Sequence, residues 1–144
     1  MSKISFRRID RRRMMNILIV DDNEFLLNAL SMWLHRQMPG NRILIGFNGK
    51  DGMEILKQNP VDLIMTDLQM PVMDGFRFIE QKNGVCPDTP VIAMTSDRSE
   101  DVLSRLKALG VTRCLEKPFE FISLSGKLME AVHADQSRCE PVTA

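Results

Sequence analysis

Five polar residues each follow a short stretch that reads as a strand. Asp21 and Asp22 come after Ile17-Leu18-Ile19-Val20, Asp67 after Val61 to Thr66, Thr95 after Val91-Ile92-Ala93-Met94, and Lys117 after Thr112 to Glu116. If these runs are parallel strands, their C-terminal ends share one edge, and three carboxylates, a hydroxyl and an ammonium converge there. Carboxylates gathered this closely repel, by about 4 kcal/mol for a pair 4 Å apart at an effective dielectric near 20. Lys117 offsets one charge, and a hard divalent cation such as Mg²⁺, which binds through one or two carboxylates with phosphate oxygens and water, suits the rest. A carboxylate in that setting is a nucleophile for a phosphoryl group. Asp67 would become an aspartyl phosphate, Thr95 would donate a hydrogen bond, and the metal and Lys117 would stabilise charge on the transferring oxygens.

The elements that must position these residues are legible as period changes along the chain. Ile17 to Val20 reads as a strand buried on both faces. Phe25, Leu26, Ala29, Leu30, Trp33 and Leu34 recur at one-turn spacing, which predicts a helix stopped by Pro39-Gly40. Ile43 to Ile45 is a second strand, and Asn48-Gly49 opens a helix through Met53, Ile55 and Leu56. Gly52 inside that helix costs roughly 1 kcal/mol relative to alanine, so close packing is expected there. Val61 to Thr66 is the third strand, and Asp74-Gly75 leads into a helix carrying Phe76, Phe78 and Ile79. The fourth strand, Val91 to Met94, precedes a helix with Val102, Leu103, Leu106 and Leu109, where Asp97 and Glu100 have capping-box spacing and Gly110 suits the C-terminal cap. A fifth strand, about Thr112 to Glu116, leads to a helix carrying Ile122, Leu124, Leu128 and Val132. Strand alternating with helix five times predicts an α/β fold, a parallel sheet with helices on both faces, because parallel strands need right-handed crossovers.

The chain has 144 residues, 44% of them hydrophobic and 26% charged, which suits one domain. Its formal net charge is zero, yet Lys3, Arg7, Arg8, Arg11, Arg12 and Arg13 against Asp10 give residues 1–15 a charge of +5 and leave −5 for the rest. Such an arm suits nucleic acid or an anionic membrane surface, but a disordered extension is the expectation for 1–15, with the domain at 16–134 and a polar tail at 135–144. No signal peptide is expected, because the apolar run after the basic stretch ends at two aspartates, and no stretch is long enough to span a bilayer. Cys86, Cys114 and Cys139 are few, odd in number and lack metal-ligand spacing, as expected of free thiols in a reducing cytoplasm. His35 and His133 have no ligand partner at i+4.

Asp21-Asp22, Asp67 followed by Met70-Pro71 and Asp74-Gly75, Thr95-Ser96, and Lys117-Pro118-Phe119 together resemble the receiver domain of two-component response regulators, over roughly Asn16 to Val132. The resemblance implies a flavodoxin-like, doubly wound (βα)5 sheet of order 2-1-3-4-5. It implies Asp67 as phosphoacceptor for a phosphohistidine on a histidine kinase or phosphotransfer protein. Asp22, Asp67 and the Gln69 backbone carbonyl would bind Mg²⁺, with Asp21 assisting through water. Thr95 would be the switch hydroxyl, Lys117 the phosphate contact, and Lys117-Pro118 a cis bond. Gln69 and Asp97 occupy places that resemble those tuning dephosphorylation. The implied protein is not an enzyme in the ordinary sense but a switch in the cytoplasm, with no DNA-binding domain in this chain. Its output is expected through a partner at the surface of the fourth helix, fifth strand and fifth helix, with a phosphorylation-linked homodimer as a further possibility.

One position departs from the pattern. Receivers often carry Tyr or Phe three residues before the lysine, and Cys114 stands there, so the usual coupling of a rotating ring to Thr95 is not expected. A small packed side chain is favoured over a redox sensor at Cys114. Competing readings are a receiver cut from a longer regulator, an interaction domain that does not depend on phosphorylation, and an aspartyl-nucleophile phosphohydrolase similar to haloacid dehalogenases. The last places its nucleophile after strand one in an Asp-x-Asp pattern, where this chain has Asp21-Asp22-Asn23. A flavin module of the same topology is weaker, since the acidic first loop repels a phosphate.

Overall fold

The computed structural model describes residues 14–134, so residues 1–13 of the basic arm and the polar tail lie outside the described residues; Met15, expected in the extension, is instead buried in the core beside β1, its N–H donating to Asn41 Oδ1. Five strands alternate with five helices: β1 (Asn16–Val20), α1 (Glu24–Gln37), β2 (Arg42–Gly46), α2 (Gly49–Gln58), β3 (Leu63–Asp67), α3 (Gly75–Asn83), β4 (Val91–Thr95), α4 (Glu100–Ala108), β5 (Arg113–Glu116) and α5 (Phe121–Ala134). All four strand pairings are parallel, in the order β2-β1-β3-β4-β5. The expected doubly wound sheet is therefore present.

β1, β3 and β4 are buried along their whole length, whereas edge strands β2 and β5 are partly exposed. That division explains why the central strands read as unbroken apolar runs. Alternate residues feed two cores. Ile17, Ile19, Leu63, Met65, Ile92 and Met94 pack with Leu27, Leu30 and Leu34 of α1 and Leu124 and Leu128 of α5. Leu18, Val20, Ile64 and Ala93 pack with Met53 and Leu56 of α2, Phe78 and Ile79 of α3, and Leu106 of α4.

Several helix expectations are corrected. Phe25, Leu103 and Ile122 are exposed rather than part of the buried stripes: Phe25 and Ile122 lie in the first turn of their helices, where the chain has only just left the sheet, and α4 buries Leu106 rather than Leu103. Leu27, which the one-turn pattern passed over, is buried instead. The N-cap of α4 is Ser99, whose hydroxyl accepts from Val102 N–H; Asp97 instead accepts from Ser99 N–H at 2.9 Å.

Gly52 is held by packing. A Cβ there would stand 2.7 Å from Phe78 Cε1 and 3.1 Å from Val20 Cγ2, and Phe78 is fully buried. Gly52→Ala should therefore lower stability by about 1–2 kcal/mol, overpacking outweighing the gain in helix propensity. Denaturant unfolding of the two chains checks this; a more stable variant would contradict it.

Candidate functional site

The C-terminal edge of the sheet gathers the predicted groups. Asp21 follows β1 and donates its backbone N–H to Gly46 O, and its Oδ1 accepts from Asn23 N–H at 2.9 Å. Asn23 in turn caps α1, accepting from Leu26 N–H. The acidic turn and the start of α1 are thus one hydrogen-bonded unit. Asp22 points to solvent. Oxygens of Asp21, Asp22 and Asp67 all lie within 4.8 Å of one another.

Asp67 ends β3 and is only 7% exposed. Its Oδ1 accepts from Leu68 N–H at 2.9 Å. Burial first, and the neighbouring Asp21 carboxylate second, push its pKa above the ordinary aspartate value, while Lys117 and the Leu68 and Gln69 backbone N–H groups oppose that shift. The chain must turn away at once to keep this carboxylate accessible. Gly75 N–H donates to Leu68 O, so close that a Cβ on Gly75 would stand 2.1 Å from Asp67 O. Asp74 caps α3 by accepting from Arg77 N–H at 2.9 Å. Glycine is thus required where α3 begins against the backbone at the end of β3.

Lys117 reaches the carboxylates from the end of β5. Its Nζ lies 2.6 Å from Asp21 Oδ2 and 3.5 Å from Asp67 Oδ1. Asp21, completely buried, is therefore its principal partner. Lys117 N–H bonds to Thr95 O, and the Lys117-Pro118 peptide is cis as expected. A pocket of about 370 Å³ lined by Asn23, Leu26, Ser96, Lys117, Pro118 and Phe119 opens beside the ammonium.

Thr95 reaches the same edge, but its hydroxyl is engaged elsewhere. Oγ1 accepts from Asp97 N–H at 3.0 Å and donates to Asp97 O at 3.3 Å. Gln69 is exposed, with its N–H directed to Asp67. Cys114 lies half-buried on β5 beside Ala93 and packs into the α2–α3–α4 core. Burial pushes its thiol pKa up, which keeps it protonated and suits a packing role. Sequence reasoning missed Asn23 and Leu68 as partners of the carboxylates; backbone donors leave no mark on residue type.

The family model of the response regulator receiver domain matches residues 17–129. The autoinducer 1 sensor kinase/phosphatase LuxN of Vibrio harveyi is 38% identical over 102 residues, which are 71% of this chain and 12% of that protein. The response regulator GtcR of Aneurinibacillus migulanus is 31% identical over 103 residues, 72% of this chain and 41% of GtcR. The chain thus spans less than half the length of either relative. Among solved structures, the chemotaxis protein CheY4 of Vibrio cholerae superposes with a TM-score of 0.75 at 28% identity, covering 83% of this chain and 99% of that one. Among the described residues no helix is long and apolar enough to cross a membrane.

Proposed function

The chain belongs to the response regulator receiver domain family of two-component signalling, and from that premise we propose that it is a phosphorylation-controlled switch with Asp67 as its phosphoacceptor. The observation that carries this reading is the meeting of three carboxylates and one ammonium at the end of a parallel sheet, with Lys117 set between Asp21 and Asp67. The donor is a phosphohistidine of a histidine kinase or phosphotransfer protein. An Asp67 oxygen attacks phosphorus, the phosphorus–nitrogen bond breaks, and its electron pair stays on the imidazole, which takes a proton from solvent.

The donor set fits Mg²⁺, being hard oxygens from Asp22 and Asp67 with the Gln69 carbonyl, and Asp21 acting through water. When bound, the ion would neutralise charge on the acid cluster and on the incoming phosphoryl oxygens. Lys117 contacts the phosphoryl group once it arrives. Incubation with acetyl phosphate and Mg²⁺ should add one phosphoryl group per chain, read by intact mass, and EDTA should slow uptake by about a hundredfold or more. Uptake that ignores chelation would remove the metal from this account.

Phosphorylation adds about −1.5 to −2 charge, and Thr95 is the group that answers it. Turning Oγ1 toward the phosphoryl group gives up both bonds to Asp97, and Asp97 anchors the Ser99 cap of α4. Leu106 is the single buried side chain of α4, so this helix is held lightly and can shift. The coupling therefore runs from Thr95 through Asp97 to α4, a route that needs no aromatic ring at Cys114. The output partner binds the α4–β5–α5 face in the cytoplasm, and capture with beryllofluoride-treated against untreated chain tests this. Equal capture by both forms would favour an interaction domain that does not depend on phosphorylation.

A further inference from the structure

Val72 is the one non-glycine residue with positive φ among the described residues, at +70°. A β-branched side chain in this region is strained, because Cβ crowds the backbone. Met73 N–H donates to Pro71 O at 2.8 Å, so residues 71–73 make a γ-turn in its rare positive-φ form with Val72 at the centre. The turn is fixed from both sides. Gly49 N–H donates to Met73 O, and Gly75 N–H to Leu68 O; a Cβ on Gly49 would stand 2.8 Å from Met73 Cγ. Glycine or asparagine would adopt this conformation with less strain. The valine side chain is 77% exposed, so little packing within the fold compensates.

Backbone hydrogen bonds hold the turn, and they present the 77% exposed valine side chain to whatever covers this surface. Val72 lies five residues past Asp67, at the same sheet edge. Three further large apolar side chains stand exposed there, namely Phe25 in the first turn of α1, Phe47 after β2 and Ile122 in the first turn of α5. Any protein that delivers a phosphoryl group to Asp67 must cover this edge, whereas a partner on α4–β5–α5 need not touch Val72. We propose that Val72 is an apolar docking anchor for the phosphohistidine-bearing donor protein, its fixed turn holding the isopropyl group toward an apolar face of that donor. This rests on the reading of Asp67 as phosphoacceptor.

The test uses Val72→Gly, Val72→Asn and Val72→Ile in the full chain. The glycine and asparagine variants should melt higher by about 3 °C as strain is relieved, and take up phosphate from acetyl phosphate at the unaltered rate. With purified, autophosphorylated histidine kinase and phosphotransfer domains from the same genome as donors, their kcat/KM should fall about tenfold, mainly through KM, while Val72→Ile retains it. Equal transfer to all four chains overturns the proposal and leaves Asp67 untouched. Loss of acetyl phosphate uptake in the variants overturns it by placing Val72 inside the reaction. Lowered beryllofluoride-dependent capture with unchanged transfer overturns it by assigning Val72 to the output partner. An unaltered chain that accepts from acetyl phosphate but from no protein donor overturns the donor reading, and this proposal with it.

Discussion

Asp67→Asn should abolish phosphoryl uptake, by more than about a thousandfold, and raise the melting temperature of the metal-free chain. The amide is a poor nucleophile, so no aspartyl phosphate forms. The gain in stability follows from the charge balance. Burial and Asp21 raise the Asp67 pKa, so the ionised side chain is less favourable folded than unfolded, and at neutral pH it weakens the fold. That burden lifts as pH falls through the raised folded value, because the folded state then holds the proton more tightly. The asparagine carries no charge at any pH, its Oδ1 can still accept from Leu68 N–H, and Lys117 keeps its shorter contact to Asp21. In EDTA, then, Asp67→Asn should melt above the native chain at pH 7.5, and the gap should close as the pH is lowered toward the carboxylate range. A variant that takes up phosphate, or a gap that widens on acidification, would contradict the assignment.

The fold was legible because the central strands are buried on both faces and so leave continuous apolar runs. The positions of Asp21, Asp67, Thr95 and Lys117 were legible because a parallel sheet brings all strand ends to one edge. Contacts decided within a few ångströms were not. Thr95 binds Asp97 in this structure, and Lys117 favours Asp21 over Asp67; neither choice follows from residue type. Phe25 and Ile122 fit the helical period yet lie outside the core, because periodicity fixes the direction of a side chain but not whether anything covers it. Val72 carried no signal at all, since nothing in a β-branched residue after proline announces a left-handed backbone. Gly52 and Gly75 were partly readable. The first broke a helix pattern and so implied close packing, and the second stood with Asp74 where a loop leads into a helix.

Lys117→Met should have the opposite effect on stability while also impairing the reaction. Methionine keeps much of the stem but removes the ammonium, leaving Asp21 fully buried without the partner 2.6 Å away. Breaking one side of a buried pair costs about 3–5 kcal/mol. The lower end applies, because the lysine side chain is itself 21% exposed, and a loss of about 3 kcal/mol should lower the melting temperature by roughly 10 °C in EDTA. Mg²⁺ should recover much of that difference, since a divalent charge can replace the missing one beside the carboxylates. Uptake from acetyl phosphate should still fall by about a hundredfold with saturating Mg²⁺, because the charge contacting the phosphoryl oxygens is gone. The two variants thus separate what a single activity assay would merge. Removing an acid relieves the site and removing the base burdens it, so their melting temperatures should move in opposite directions although both lose phosphorylation. A Lys117→Met chain as stable as the native one in EDTA would mean that water, not Lys117, balances Asp21.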